Sequence, residues 1–150
     1  MIRRGFTIIE ILVGIGIMLT VMVILTSSFQ NVRSRHNLQE VAVQIMAMVH
    51  GARAKTLAGV GNVQHGIHFE SGKVSLFQTA TYEAASTTNI DFILAPSVRI
   101  GTTTFVGGAT NVAFARLTGT PSATGTILVW LTNSTTTNLL ITIGDSGASY

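Results

Sequence analysis

A continuous apolar segment near the start of the chain, residues 6–25, constrains the fold more than any other feature. Its length matches the ~20 residues that a helix needs to cross a bilayer. Arg3 and Arg4 precede the segment, and polar residues follow it from Ser27 onward. Only Glu10 breaks the apolar pattern, and an acid that faces lipid alone costs on the order of 2–4 kcal/mol. The segment therefore predicts a membrane helix in which the acid has a function and a partner.

Three interpretations of this segment are open. A cleaved secretory signal has a shorter apolar core and a small-residue cleavage site after it. A plain signal anchor accounts for the length and the arginines, but it leaves Glu10 unexplained. The third interpretation rests on Arg4-Gly5-Phe6-Thr7-Ile8-Ile9-Glu10. This stretch resembles the prepilin-peptidase site of type IV pilins and pseudopilins, in which a basic leader ends in Gly and is followed by Phe and an apolar run with Glu as its fifth residue.

The resemblance implies a processing and assembly mechanism. In that family a membrane peptidase cuts after the glycine and methylates the new amino terminus, which implies cleavage between Gly5 and Phe6 and N-methylation of Phe6. Glu10 of one subunit would then neutralise the Phe6 amine of its neighbour, and breaking such a buried pair costs ~3–5 kcal/mol. The implied partners are the prepilin peptidase, other pilins or pseudopilins in a helical filament, the inner-membrane assembly platform and membrane lipid.

Basic residues flank the apolar segment on both sides, with Arg3 and Arg4 before it and Arg33 and Arg35 after it. The first pair lies closer to the segment, so the positive-inside bias places the N-terminus in the cytoplasm. With the resemblance, this implies a single pass through a bacterial inner membrane, a periplasmic or extracellular head, and a filament after assembly. The formal net charge of +3 falls to about +1 without the leader arginines, so no strong attraction to nucleic acid follows.

The expected organisation has three parts. Residues 1–5 form the leader peptide, residues 6–28 form the transmembrane and assembly half of the N-terminal helix, and residues 29–150 form the head. Within the head, residues 29–58 continue the helix and residues 62–150 are rich in strands.

The helical pattern continues beyond the membrane segment. Apolar positions recur at steps of three and four, which predicts one buried helix face. These positions are Leu38, Val41, Ile45, Met48, Val49 and Ala52. Gly59 and Gly61 end the pattern, since glycine commonly provides the left-handed residue after a helix. One helix is therefore expected over residues 6–58.

After Gly61 the pattern changes to short strands. The predicted strands cover residues 63–69, 73–77, 90–94, 98–105, 111–117, 126–132 and 139–143. Glu70-Ser71-Gly72 predicts a tight hairpin turn, and residues 133–137 are expected to form a polar turn. The fold class is therefore α+β: a long N-terminal helix, membrane-spanning in its first half and amphipathic in its second, packed on a small antiparallel β-sheet head.

Three further stretches are similar to the GspH/FimT-type minor pilins. The helix ends with Ala52-Arg53-Ala54-Lys55, a strand with a hairpin follows directly at residues 63–69, and the chain closes with Ile141-Thr142-Ile143-Gly144 and a turn at Gly147. This resemblance implies a pilin-like head and the class of minor pilins or pseudopilins, in a type IV pilus or a type II secretion filament.

Catalytic chemistry is not expected. Gly144-Asp145-Ser146-Gly147 matches the residues around a serine nucleophile, but such a serine needs a base, an orienting acid and an oxyanion site. Asp, Ser and Gly are also ordinary turn residues. His65 and His68 are three apart on a predicted strand and point to opposite faces, which argues against a shared metal ion. With no cysteine in the chain, no enzyme activity, metal or cofactor is predicted.

Two alternative functions remain open from the sequence. Arg53, Lys55, Arg99 and Arg116 could form a basic strip for DNA, because some FimT-like minor pilins are implicated in DNA uptake. The other alternative is a plain membrane-anchored β-domain without a filament. The principal prediction is a structural subunit: a minor pilin or pseudopilin cleaved after Gly5.

Overall fold

The computed structural model describes residues 5–150, without the side chains of residues 26–31 and 135. Residues 1–4 of the predicted leader, which include Arg3 and Arg4, lie outside this range. The chain divides into two compact units, Met1–Ser34 and Arg35–Tyr150.

One α-helix, α1, spans Ile8–Leu57. It begins two residues later than the sequence predicts, because Thr7 caps it, and it ends one residue earlier. At its end the Gly59 N–H donates to the Thr56 carbonyl at 3.1 Å, and Gly59 adopts a left-handed conformation with a φ of 67°. A short 3-10 turn, Val60–Asn62, follows. The prediction that glycine ends this helix is confirmed.

Seven strands follow the helix within the second unit. They are β1 (His65–Glu70), β2 (Lys73–Gln78), β3 (Ile90–Ile93), β4 (Val98–Phe105), β5 (Asn111–Ala113), β6 (Gly125–Leu131) and β7 (Ser134–Ile143). They form a four-stranded sheet in the order β3-β2-β1-β5 and a three-stranded sheet in the order β4-β6-β7. All the pairings are antiparallel. The α+β class is confirmed, with the head divided between two sheets.

The turn of the β1–β2 hairpin connects the two sheets through backbone hydrogen bonds. Glu70 pairs with Lys73, so Ser71 and Gly72 form the predicted tight turn. The carbonyl of Gly72 accepts from the Leu94 N–H at 3.0 Å, and that of Ser71 accepts from the Ile100 N–H at 2.9 Å. The turn therefore binds the backbone just before and within β4.

One hydrophobic core joins the helix to both sheets. Ile45 of α1, Ile67 and Val74 of the four-stranded sheet, and Ile127 and Val129 of the other are all fully buried. The predicted helix face is confirmed. Its buried positions are Leu38, Val41, Ala42, Ile45, Val49, Ala52 and Thr56. Met48, which was expected on this face, is half-buried and packs against the edge of the core.

Two predicted strands differ from the structure by four or five residues at one end, and the other predicted boundaries differ by at most two. Residues 133–137 do not form a polar turn, because β7 already begins at Ser134 and pairs with Leu131. The threonines that follow are β-branched and suit a strand as well as a loop. The strand expected over residues 111–117 ends at Ala113, and Leu117 adopts a left-handed φ of 73° inside a tight turn.

Candidate assembly site

The first unit presents its apolar residues to the surroundings. Ile8–Leu25 has a mean hydropathy of 2.8, none of it is buried, and it is long and apolar enough to cross a membrane. An apolar surface of this size is unfavourable in water and requires lipid or other apolar helices around it. The segment therefore has the properties of a single-pass membrane anchor.

Thr7 begins the helix. Its hydroxyl oxygen accepts from the Glu10 N–H at 3.3 Å, and its carbonyl accepts from the Ile11 N–H at 3.3 Å. The hydroxyl contact caps an amide of the first turn, and the carbonyl contact is the first regular bond of the helix. Such a cap contributes about 0.5–2 kcal/mol to helix stability. Sequence reasoning missed this role, although Thr7-x-x-Glu10 has the spacing of a capping box.

Glu10 lies in the first turn of α1 and is exposed. The partial positive charge at a helix N-terminus favours a carboxylate there by about 0.3–1 kcal/mol. No ion pair to Glu10 is formed within residues 5–150. The carboxylate is therefore positioned at the helix start and is accessible to a cation from another molecule.

The predicted processing residues precede the capped turn. Gly5, Phe6 and Thr7 have no helical structure, and Phe6 is 80% exposed. The bond between Gly5 and Phe6 thus lies in non-helical chain just before the membrane segment.

In the second unit, Arg53 holds the turn that contains Leu117 and Gly119. Its guanidinium Nε donates to the Gly119 carbonyl at 3.1 Å. Gly147 packs against it so closely that an added Cβ would lie 2.9 Å from the Arg53 Cδ atom. Arg53 therefore has a structural role at the end of α1.

The other basic residues proposed for DNA lie in separate places. Arg116 donates to the Asn62 side chain in the turn after α1. Lys55 lines a groove beside Asp91 on another side of the helix. Arg99 lies on β4 opposite Trp130 and donates to the Val98 carbonyl at 3.0 Å. The structure brings only Arg53 and Arg116 to one loop.

A buried contact fixes the end of α1 to the start of β1. The Thr56 hydroxyl accepts from the His65 N–H and donates to the Ala52 carbonyl, both at 2.9 Å. His65 is 1% exposed. Burial, with a smaller contribution from the charge of Lys55, lowers the pKa of His65. The imidazole is therefore neutral in the folded head near neutral pH.

A polar cluster covers the outer end of the β1–β2 hairpin. The His68 ring stacks on Tyr82 with 3.8 Å between centroids, and the Tyr82 hydroxyl donates to Glu70 at 3.3 Å. Burial lowers the pKa of His68; Glu70 opposes this effect and Lys73 adds to it. The ion pair of Lys73 with Asp91, at 3.3 Å, raises the pKa of Lys73. These contacts hold the loop after β2 on the sheet.

The serine motif near the end of the chain forms a turn. The Ser146 hydroxyl accepts from the Ala148 N–H at 3.4 Å, and the nearest imidazole contact in this turn is that of His50 with Ser149, at 3.2 Å. Across the part of the chain that the structure describes, no three His, Asp or Glu side chains converge on a point that could hold a metal ion.

The fold defined by these elements is the type IV pilin-like α+β fold, as the sequence predicted. Two crystal structures of the Pseudomonas aeruginosa (strain PAO1) type IV minor pilin FimU share it. One, in space group P21, has 17% sequence identity, a TM-score of 0.57, and coverage of 77% of this chain and 88% of the crystallised FimU chain. The other, in space group P65, has 15% identity, a TM-score of 0.55, and coverage of 75% and 90%. No protein-family model and no curated protein sequence matches the chain.

Proposed function

We propose that this chain is a pilin-type structural subunit and not an enzyme. The observation that carries the proposal is the combination, in one chain, of a pilin-like head with a capped, exposed apolar helix that has an acid in its first turn. The similarity to a type IV minor pilin supports this function. A filament of the type IV pilus or type II secretion kind is the assembly that such a subunit enters.

The N-terminal mechanism is part of the proposal. A prepilin peptidase of the bacterial inner membrane removes residues 1–5 and methylates Phe6. The apolar helix is held in lipid, with the head on the periplasmic side, until an assembly platform transfers it to the filament. There Glu10 meets the Phe6 amine of a neighbouring subunit. The proposal is supported by the non-helical chain at the cleavage bond and by the accessible carboxylate.

Mass spectrometry of the native N-terminus tests this function directly. We expect the mature chain to begin at Phe6 and to carry one methyl group on its amine. A Gly5→Val variant serves as the control, since a bulky residue at the cleavage site is expected to leave the leader attached. A native chain that retains Met1 in the membrane would support a plain membrane-anchored β-domain and contradict the proposal.

A further inference from the structure

The groove between α1 and the edge strand β3 has the features of a site that accepts an additional strand. We propose that an extended segment of a neighbouring filament subunit pairs with the free edge of β3 and places alternate apolar side chains into this groove. The proposal rests on the proposed function for the identity of the partner. The surface itself is defined by the head alone.

The backbone of β3 leaves one edge available. β3 is the last strand of its sheet, and the Leu94 N–H, in register with the strand, donates to the Gly72 carbonyl at 3.0 Å. The backbone N–H and C=O groups of Phe92, two residues earlier, therefore also point toward β2. Those of Asp91 and Ile93 point away from β2. Within the described residues, no backbone or side-chain group binds those outward groups.

Two hollows adjoin this edge. The first, of about 370 Å³, lies between α1 and β3 and is lined by Met48, Leu76 and Phe92 among others. The second, of about 240 Å³, lies farther along and is lined by Val41, Phe92 and Ile93 among others. Phe92 lines both hollows. On α1 the first hollow lies beside residues 44–55 and the second beside residues 37–41, so their centres are roughly 15 Å apart along the helix. Side chains at i and i+4 of an added strand point to one face and are roughly 13 Å apart, so one strand can reach both hollows.

The helix side of the first hollow allows a close approach. Ala47, Gly51 and Ala52 line it, so the flank of α1 there has little side-chain bulk. Ile90 and Ile93 on β3 are 52% and 77% exposed. Natural edge strands usually carry charges or proline that prevent pairing. The one charged residue of β3, Asp91, is paired with Lys73 at 3.3 Å, and the other three residues of the strand are large and apolar. An extended peptide gains backbone hydrogen bonds at such an edge and specificity from its alternate side chains.

Charges at the two ends of the groove define the partner further. Lys55 and Asp91 line the first hollow, where Asp91 is paired with Lys73 at 3.3 Å, and Glu40 lines the second. The complementary segment therefore has two apolar residues on one face, an acid near Lys55 and a base near Glu40. A polypeptide fits this edge better than lipid, since a lipid chain offers no backbone donors to pair with β3.

Photocrosslinking in the native cells tests the proposal with the full-length chain. Benzoylphenylalanine replaces Ile90, which lines the first hollow, and the adduct is mapped by mass spectrometry. We expect an adduct with an extended, alternately apolar segment of another pilin-like subunit. The variant Ile93→Pro removes an outward N–H that no described group uses, and we expect it to lower the adduct yield about tenfold or more.

Two further variants keep the test decisive. Leu140→Pro is the matched control. Thr142 of β7 exchanges backbone hydrogen bonds with Tyr150, so the N–H groups of Thr142 and of Leu140, two residues earlier, point away from β6. The adduct yield of this variant should not change. Ile93→Lys places a charge at an exposed position and should lower the yield even if the proline variant does not fold.

Several results would overturn the proposal: no adduct, an adduct only with lipid, or a yield that Ile93→Pro and Ile93→Lys leave unchanged. The filament fraction sheared from the same cells separates this proposal from the proposed function. A chain that is present in that fraction without the adduct contradicts the strand pairing only. Absence of the chain from the filament contradicts the function itself.

Discussion

Gly66 in β1 occupies a position where no side chain fits. A Cβ atom there would contact the Phe77 ring and lie 2.7 Å from the carbonyl oxygen of Val112. β1 is the strand that joins β2 to β5, so the close approach lies in the middle of the sheet. The glycine is therefore required by packing between strands.

We predict that Gly66→Ala lowers the free energy of unfolding by about 1–3 kcal/mol, because the added methyl group forces the strands apart. Urea unfolding followed by the fluorescence of Trp130 measures the change. Gly72→Ala is the control, since an added Cβ there meets no atom within 4 Å. Equal stability of the two variants would contradict the close packing of β1.

The two histidines of β1 make the stability of the head depend on pH. Burial lowers the pKa of both His65 and His68 below the ordinary value of 6.5. The unfolded chain takes up protons at about pH 6.5 that the folded head does not. Their contribution to stability is thus present above pH 6.5 and is lost as the pH falls below it, by at most about 1.4 kcal/mol per pH unit for each proton.

We predict that the free energy of unfolding falls between about pH 7.5 and 5.5, and that His65→Gln makes this dependence less steep. Denaturation curves at a series of pH values provide the measurement. His36→Gln, on an exposed helix position, should leave the slope as it is in the unmodified chain. A slope that His65→Gln does not alter would exclude His65 as a source of the pH dependence.

At the scale of elements, the end of α1 is held by side chains and not by the helix itself. Thr56 binds the start of β1, and Arg53 binds the turn at Gly119. The two basic residues therefore have different roles. Arg53 holds the turn at Gly119 against the end of α1, and Lys55 lines the groove beside β3.

We predict that Arg53→Met destabilises the head by about 1–2 kcal/mol, since the Gly119 carbonyl loses a charged donor in a part-buried site. Lys55→Met keeps a similar chain length and should change stability by less than about 0.5 kcal/mol. Thermal unfolding of the two variants compares them. If Lys55→Met is the more destabilising change, Arg53 is not the clamp at the helix end.

Much of the fold could be predicted because local chemistry determines it. The three-and-four spacing from Leu38 to Ala52 fixed the buried helix face, and Ser71-Gly72 fixed the hairpin. The division into two sheets was not predictable, since it depends on contacts between distant segments, such as Ser71 with Ile100. The early start of β7 was missed because its threonines suit loops and strands alike.

The candidate site was predictable only in part. The spacing of Gly5, Phe6 and Glu10 was apparent from the sequence, and their assigned roles stay predictions. The cap at Thr7 was readable from its distance to Glu10 but was overlooked beside the membrane signal. The groove at β3 could not be foreseen, because it joins residues of α1 and β3 that are about 40 positions apart in the chain.

At the scale of the whole molecule, the exposed apolar helix start and its acid are unfavourable for an isolated subunit in water. Ile8–Leu25 needs an apolar environment, and an acid in such an environment is stable mainly when it has a partner. The filament of the proposed function would supply both. Thr7 and Glu10 both lie at the helix start, where Thr7 caps the helix and Glu10 carries the charge. A test of the charge must therefore leave the cap in place.

The incorporation of variants into sheared filaments tests this account most directly. Glu10→Gln keeps a residue that is compatible with the capping box but removes the charge, whereas Thr7→Ala removes the cap and keeps the charge. With equal amounts of each variant in the membrane, we predict that Glu10→Gln lowers the filament fraction about tenfold or more, and that Thr7→Ala has a much smaller effect. Normal incorporation of Glu10→Gln would contradict the pairing of this carboxylate with a neighbouring Phe6 amine.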